Sequence, residues 1–512
     1  MPPASFLTLP YELRYEIYQH YFTLDHGYTF QPGPGKLTTS DARPLDLALM
    51  YTCRLIAAET KDLPLRFNTI FFSTVYHPEW SAWAGRFHYQ LDLQHSLQSN
   101  MLVRMAHHLT PDMCSQITLK FPGFIPMLMS TEEPVPRVTR HKEESDFELK
   151  TYRCIDSFST GQLRWEGYHE NTCLVSKAVT YALRLLAQSH GPELTQLINK
   201  ELPRRKATQD ILEFLDKCYD PWAIPSYSEL AAMGFELSDD DVWNSMDGWY
   251  KEPYYDGPGR RYREKFRFSA AAVAIRFFNS LSIPKRLQLR KVVLHEDRVA
   301  VARQERHAQG LIPFFKENPR LRVERRIDVV NTVFQKAELF SMTSVPISSR
   351  DDPDTRYELD SRYIPETVAG WLLEGLATVD VGMPADVFTL VLDSGPAADL
   401  CSDVFHNVVH RRLAWQTALE RCYNQGILAP PSHDNPEYTY CSVSQDLWKA
   451  LDHLTNQTSV LRCNFYPGRP WNVDKIFDWG DTLLENFEME PENSRNKARK
   501  HHRLGMCKGK NE

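Results

Sequence analysis

The chain has 512 residues, 42% of them hydrophobic, with 59 Lys+Arg against 66 Asp+Glu for a net charge of −7. That length allows a sizeable buried core and roughly two to four domains, while the acidic balance excludes the chain-wide basic footprint of a dedicated nucleic-acid binder. No stretch approaches the roughly 18 to 20 unbroken apolar residues that span a bilayer, so no membrane partner is expected.

Pro10, Glu12 and Arg14 interrupt the start before any apolar signal core can form, so the expectation is an intracellular protein, cytoplasmic or nuclear. The 10 cysteines are scattered, with no C-x2-C pair, and read as reduced, mostly buried thiols rather than a disulfide framework or a zinc site.

In chain order, Leu13, Ile17 and Tyr21, joined by Tyr18 and Phe22, fall on one face of a helix that Pro10 opens. Asp25 to Pro44 reads as an inserted loop, and Leu45, Leu49, Cys53 and Ile56 as a second helical stripe. Thr69 to Val75, Gln116 to Phe121, Lys291 to His295, Arg320 to Val330 and Val387 to Leu392 read as strands. Ile211, Leu215 and Cys218 form a third helical stripe, and Ala270 to Leu281, Glu366 to Ala377 and Cys401 to Gln425 are expected helices. Ser130 to Lys150, Ser341 to Pro365 and Ala429 to Glu437 read as further loops. Met101 to Phe121, Ala270 to His295 and Glu366 to Leu392 look like irregular helix-then-strand units; an ordinary α+β body ranks above an open solenoid-like stack.

The ordered set Phe6-Leu7-Thr8-Leu9-Pro10-Tyr11-Glu12-Leu13-Arg14-Tyr15-Glu16-Ile17-Tyr18, Thr52-Cys53-Arg54, Glu59, Leu63-Pro64-Leu65 and Phe67-Asn68-Thr69-Ile70-Phe71 resembles the F-box-like module at the start of many filamentous-fungal proteins. The resemblance covers residues 6 to 76 and departs from the compact pattern by the insertion 25–44. The run from His307 to Leu321 resembles segments in the C-terminal parts of the same proteins. The resemblance implies that Leu9, Pro10, Leu13 and Ile17 contact a Skp-type adaptor of a cullin-RING ubiquitin ligase. The body would then present an unknown protein substrate. The expected fold class is α+β and helix-rich: an F-box-like module over 1–78, a central α+β region over 79–345, a helix-rich region over 346–490 and a basic, unfolded tail over 491–512.

No catalytic constellation, cofactor or metal site emerges. Gly33-Pro34-Gly35-Lys36 lacks the hydroxyl residue of a phosphate-binding loop, where Leu37 stands. Asp393-Ser394-Gly395 lacks the second aspartate motif of an acid protease and reads as a strand-to-turn junction. His406 and His410 lack the glutamate of a zinc protease and read as exposed or hydrogen-bonded. From Asp220 to Gly259 acids dominate, with Lys251 the sole base; Trp243, Trp249, Tyr250, Tyr254 and Tyr255 are candidate partner-binding anchors there, against a solvated acidic loop as the plainer alternative. The acid-free run Arg495 to Lys510 is a candidate nuclear import signal. The expected function is a non-enzymatic F-box-like recruiter; the alternatives are an interaction scaffold without adaptor binding and, third, an enzyme of unrecognised type.

Overall fold

The computed structural model describes residues 6–76, 78–121, 124–125, 128, 172–201, 210–216, 219–237, 243, 266–337, 363–428 and 445–480. The fold is α+β and helix-rich, built on a seven-stranded sheet of order β2-β1-β3-β4-β5-β6-β7. The strands are β1 (Tyr28–Gln31), β2 (Lys36–Thr38), β3 (Thr69–Ser73), β4 (Lys291–Glu296), β5 (Arg322–Asp328), β6 (Phe388–Asp393) and β7 (Leu461–Cys463). Only the β1–β2 pair is antiparallel; every other neighbour is parallel.

From β3 to β7 the strands follow chain order, so each link is a crossover of the kind that is right-handed in nearly all proteins, which places the connecting helices on one face. The burial pattern agrees. Ile70, Val292, Val323 and Phe388 form one inward row, and Phe72, Leu294, Arg325, Leu390 and Leu461 the next. All are buried. These rows pack on α9 (Ala270–Ser280), α10 (Tyr363–Asp380) and α11 (Gln445–Asn456). Ser269 caps α9 by accepting from the Ala272 N–H, and an alanine-rich face lets that helix lie close to the strands. The opposite face presents Glu324, Thr389, His295, Arg326, Val391 and Arg462, all only partly covered.

Between β3 and β4 the chain builds a second, all-helical core from α4 (Pro78–Met105), α5 (Pro111–Lys120), α6 (Thr172–Glu201) and α7 (Ile211–Asp216), around Leu97, Met101, Ile117, Leu186 and Ile198. A small N-terminal core joins α1 (Tyr11–Phe22), α2 (Arg54–Thr60) and α3 (Leu63–Phe67) through Tyr18, Phe22, Ile56 and Leu63.

Several expectations need correction. The segment Gln116 to Phe121 is not a strand but the end of α5 and its cap. Thr110 accepts from the Met113 N–H, Pro111 opens the first turn, and Gln116 bonds Asp112 one turn back, whereas Leu119 is 86% exposed. The insertion 25–44 is not a plain loop but carries the hairpin β1–β2, which lengthens the sheet beside β3. Its entry depends on Gly27, at φ +59°, where a Cβ would stand 2.3 Å from the Thr69 carbonyl oxygen. Gly33 to Lys36 is the turn of that hairpin and the first residue of β2. The stripe from Leu45 to Ile56 is broken at Cys53, whose extended backbone separates a short 3-10 turn at Ala48–Tyr51 from α2. The segments 1–78, 79–345 and 346–490 contribute β1–β3, β4–β5 and β6–β7 to the same sheet, so those divisions run through one body. The tail 491–512, the loops Ser130 to Lys150 and Ala429 to Glu437, and most of Ser341 to Pro365 lie outside the described residues.

Candidate functional site

The first helix is held from its inner side. Arg14, Tyr18 and Phe22, four residues apart, point into the module and are buried. Arg14 donates from Nε (3.1 Å) and Nη2 (2.5 Å) to the two oxygens of Glu59 on α2, and the Tyr18 hydroxyl donates to Glu59 at 2.7 Å. Arg14 Nη1 also donates to the carbonyl of Leu9. A fork on a carboxylate fixes direction as well as distance, so the pair sets both the rotation of α1 and the turn ahead of it. The guanidinium hydrogen bond holds the Glu59 carboxyl below its ordinary range against the opposing effect of burial. Burial, reinforced by the Glu59 hydrogen bond, pushes the Tyr18 phenol up to about 12. Asn68 ties down the far end: its Nδ2 donates to the carbonyls of Phe22 and Pro64, and its Oδ1 accepts from the Leu24 N–H.

With that side fixed, the other face of α1 is left outward. Leu13 is 47% exposed, Ile17 43% and Tyr21 37%, at a spacing of four that stacks them in one stripe. Pro10 is exposed and Leu9 half-buried. The sequence reading joins Tyr18 and Phe22 to Leu13, Ile17 and Tyr21 on one face; the structure separates the two sets and puts Tyr18 and Phe22 on the core-facing stripe that runs through Arg14. Leu7, Tyr11, Leu24, Tyr51 and Leu55 are large apolar residues exposed in the same module. Large apolar side chains gathered in so short a segment mark a contact surface more than scattered ones do. The hairpin β1–β2 lies at the sheet edge and leaves the stripe open.

Trp243 is corrected from a surface anchor to a core residue. It is 6% exposed and packs in the helical core, its ring against Gly234 of α8 (Tyr227–Glu236) and under the Arg86 guanidinium, 5.3 Å from the ring centroid. Trp249, Tyr250, Tyr254 and Tyr255 lie outside the described residues.

The densest polar chemistry is internal and was not anticipated. Glu296, at the end of β4, accepts from Arg325 Nε and Nη2 at 3.0 and 2.8 Å and from the first N–H groups of α9, Ala270 and Ala271, at 3.0 and 3.3 Å. Arg325 also donates to the carbonyls of Gln304 and Glu305, and its guanidinium lies 4.8 Å from the Trp371 ring centroid. Arg306 pairs with Glu374, and Lys336 with Glu305. Beside them Ser269 Oγ is 2.6 Å from His307 Nδ1, while His307 Nε2 faces the Ala302 carbonyl at 2.8 Å. A carbonyl can only accept, so Nε2 carries the proton and Nδ1 accepts from the serine hydroxyl. This resembles the start of a nucleophile–base pair, but Ser269 is 0% and His307 1% exposed, so no substrate atom reaches the hydroxyl. The cluster instead clamps the 3-10 turn Gln304–Leu311 onto the ends of the central strands.

The partly covered sheet face carries a charged ladder, in which Arg326 bonds Glu324 at 2.5 Å and approaches Asp393 at 3.8 Å while His295 stacks on Phe71. At the end of the sheet where β4 and β5 begin, an open cleft of about 430 Å³ is lined by Arg66, Arg290 and Arg320 with Leu287, Gln288, Asn318 and Pro319. Burial, and then the charges of Arg66 and Arg320, pull the Arg290 pKa down.

No family model matches this chain, and no curated protein or solved structure matches it.

The remaining sequence candidates take the plainer form. Asp393-Ser394-Gly395 is the turn after β6, where Asp393 accepts from the Gly395 N–H. His410 is buried with Nε2 against the Pro467 carbonyl, and His406 accepts from the Arg469 N–H. Both lie in a π-helical turn, Phe405–His410. No described helix is long and apolar enough to cross a membrane.

Proposed function

We propose that the N-terminal module is an F-box-like docking element for a Skp-type adaptor of a cullin-RING ubiquitin ligase, and that the body recruits a protein substrate. One observation carries the reading: the Leu13, Ile17 and Tyr21 stripe faces outward while the opposite side of the same helix is clamped through Arg14 and Glu59. A helix fixed on one side and apolar on the other is ready to lie in a partner's groove without paying for its own ordering. The ordered Leu-Pro-x-Glu-Leu-Arg pattern supports the assignment of that partner. Specificity on this reading lies in recognition, no residue here performs bond chemistry, and the protein acts inside the cell. The half-open sheet face, with its alternating charges, is the surface offered to the substrate.

The test is a pull-down of the full chain, expressed in a fungal host, with the adaptor detected in the eluate. Capture that is lost on Leu13→Asp with Ile17→Asp, at unchanged folding, supports the proposal. Absence of adaptor from the wild-type eluate rejects it and leaves an interaction scaffold.

A further inference from the structure

Helix α6 is broken at His190, whose backbone (φ −128°, ψ 32°) is non-helical, two residues before Pro192. A proline inside a helix lacks the N–H for the ladder and displaces the preceding turn, so the bend follows from the sequence. Directly against it, the 3-10 turn Ala106–His108 ends the run of α4. The turn sets the His107 and His108 rings 3.9 Å apart, and the His108 ring stacks on His190 at 4.1 Å. Glu193, in the first turn beyond the bend, brings Oε2 to 3.0 Å from His108 Nε2. That nitrogen is shielded from solvent and makes no hydrogen bond among the described residues. The ligand atoms of His107, His108 and Glu193 all lie within 4.8 Å of one another.

We propose that His107, His108 and Glu193 bind one zinc ion, which clasps the end of α4 to the far side of the α6 bend. Two imidazole nitrogens and one carboxylate oxygen suit a borderline cation, and two nitrogen donors argue against magnesium or calcium, which take oxygen ligands. Zinc held at about 2.0 to 2.2 Å in a tetrahedron separates its ligand atoms by about 3.3 to 3.6 Å. The His108–Glu193 pair is already near that span, and the ligand atom of His107, exposed at the surface, lies within 4.8 Å of both. The ion supplies the missing partner of His108 Nε2 and offsets the Glu193 charge, and its fourth position is open to water.

The experiment uses the full chain stripped with chelator, titrated with Zn²⁺ by calorimetry and followed by thermal unfolding, with Co²⁺ as an absorbing substitute. The proposal expects one tight site per chain, a rise in Tm with Zn²⁺ but not Mg²⁺, and a Co²⁺ spectrum of nitrogen and oxygen ligands without thiolate charge transfer. His107→Ala and Glu193→Gln are both at exposed positions and should fold; each should weaken binding by about 100-fold or more, since even the outer partners of metal ligands contribute about 10- to 100-fold. Unchanged affinity in both variants places the ion elsewhere and overturns the proposal. So does a wild-type chain whose Tm ignores zinc.

Discussion

Replacing Glu296 by glutamine tests the internal ion cluster with almost no change of shape. Glu296 and Arg325 are both 0% exposed, and the carboxylate collects two guanidinium contacts and two helix N–H groups. Glutamine keeps one acceptor oxygen, but its amide turns two donor hydrogens toward groups that can only donate. Arg325 is left as a buried charge whose other partners are neutral carbonyls. Breaking one side of such a pair costs about 3–5 kcal/mol, a large share of the roughly 5–15 kcal/mol that holds a typical protein folded. The double variant Glu296→Leu with Arg325→Met removes both charges and should lose less than Glu296→Gln alone. Its residual cost comes from the N–H groups of Ala270 and Ala271 and the carbonyls of Gln304 and Glu305, which are neutral and so cost less to leave unpaired than the buried guanidinium. Urea unfolding at neutral pH, followed by tryptophan fluorescence, measures all three chains. The reasoning fails if Glu296→Gln is within 1 kcal/mol of wild type, or if the double variant loses as much as Glu296→Gln or more.

Further outcomes follow from the same packing. Burial pushes the His307 pKa down to about 3, so below about pH 6.5 the unfolded chain takes up a proton that the native state refuses. Stability is then full above pH 6.5 and falls by about 1.4 kcal/mol per pH unit as the pH drops towards the folded value. His295 and His410, also lowered chiefly by burial, act in the same direction. The slope of unfolding free energy between pH 6.5 and 5.5 should shrink by about 0.7 of a proton in His307→Gln; an unchanged slope contradicts the assignment. Gly310→Ala should cost about 1–3 kcal/mol by overpacking, because a Cβ there would lie 2.6 Å from both Ile275 and Trp222 side-chain atoms. Leu119→Lys, at 86% exposure on α5, should change stability by less than about 0.5 kcal/mol, whereas a half-buried strand position would not tolerate it; the same unfolding assay separates the two.

The central strands were readable because β-branched and aromatic runs such as Thr69 to Val75 and Val387 to Leu392 have to be buried, and the observed β3 and β6 differ from them only at the ends. Strand β7 has three residues, too few to show a period, and becomes a strand only by pairing with β6. Gln116 to Phe121 reads as a short apolar segment, yet the cap at Thr110 and the Asp112–Gln116 pair gave the better signal. The core face of α1 was hidden because an arginine counts as polar until its partner is known, and Glu59 is 45 residues away. The spacing of Arg14, Tyr18 and Phe22 together with Glu59 was the available clue. Trp243 was misread for the opposite reason: its acidic neighbours suggested solvent, but Gly234 leaves room for the ring and Arg86 lies over it. Arg325 and Glu296 come together only through strand register, and His107, His108 and Glu193 only through the bend at His190, neither of which local sequence states.

The central claim is that the outward stripe of α1 is a docking surface. Calorimetric titration of the purified full chain with a Skp-type adaptor measures this directly. Leu13 and Ile17 are each a little under half exposed, so burying the remainder contributes about 1 kcal/mol apiece. Leu13→Asp with Ile17→Asp should therefore weaken the complex at least about 30-fold while leaving Tm near wild type, since both side chains face outward. A wild-type chain that binds no adaptor, or a double variant that binds as tightly as wild type, contradicts the claim.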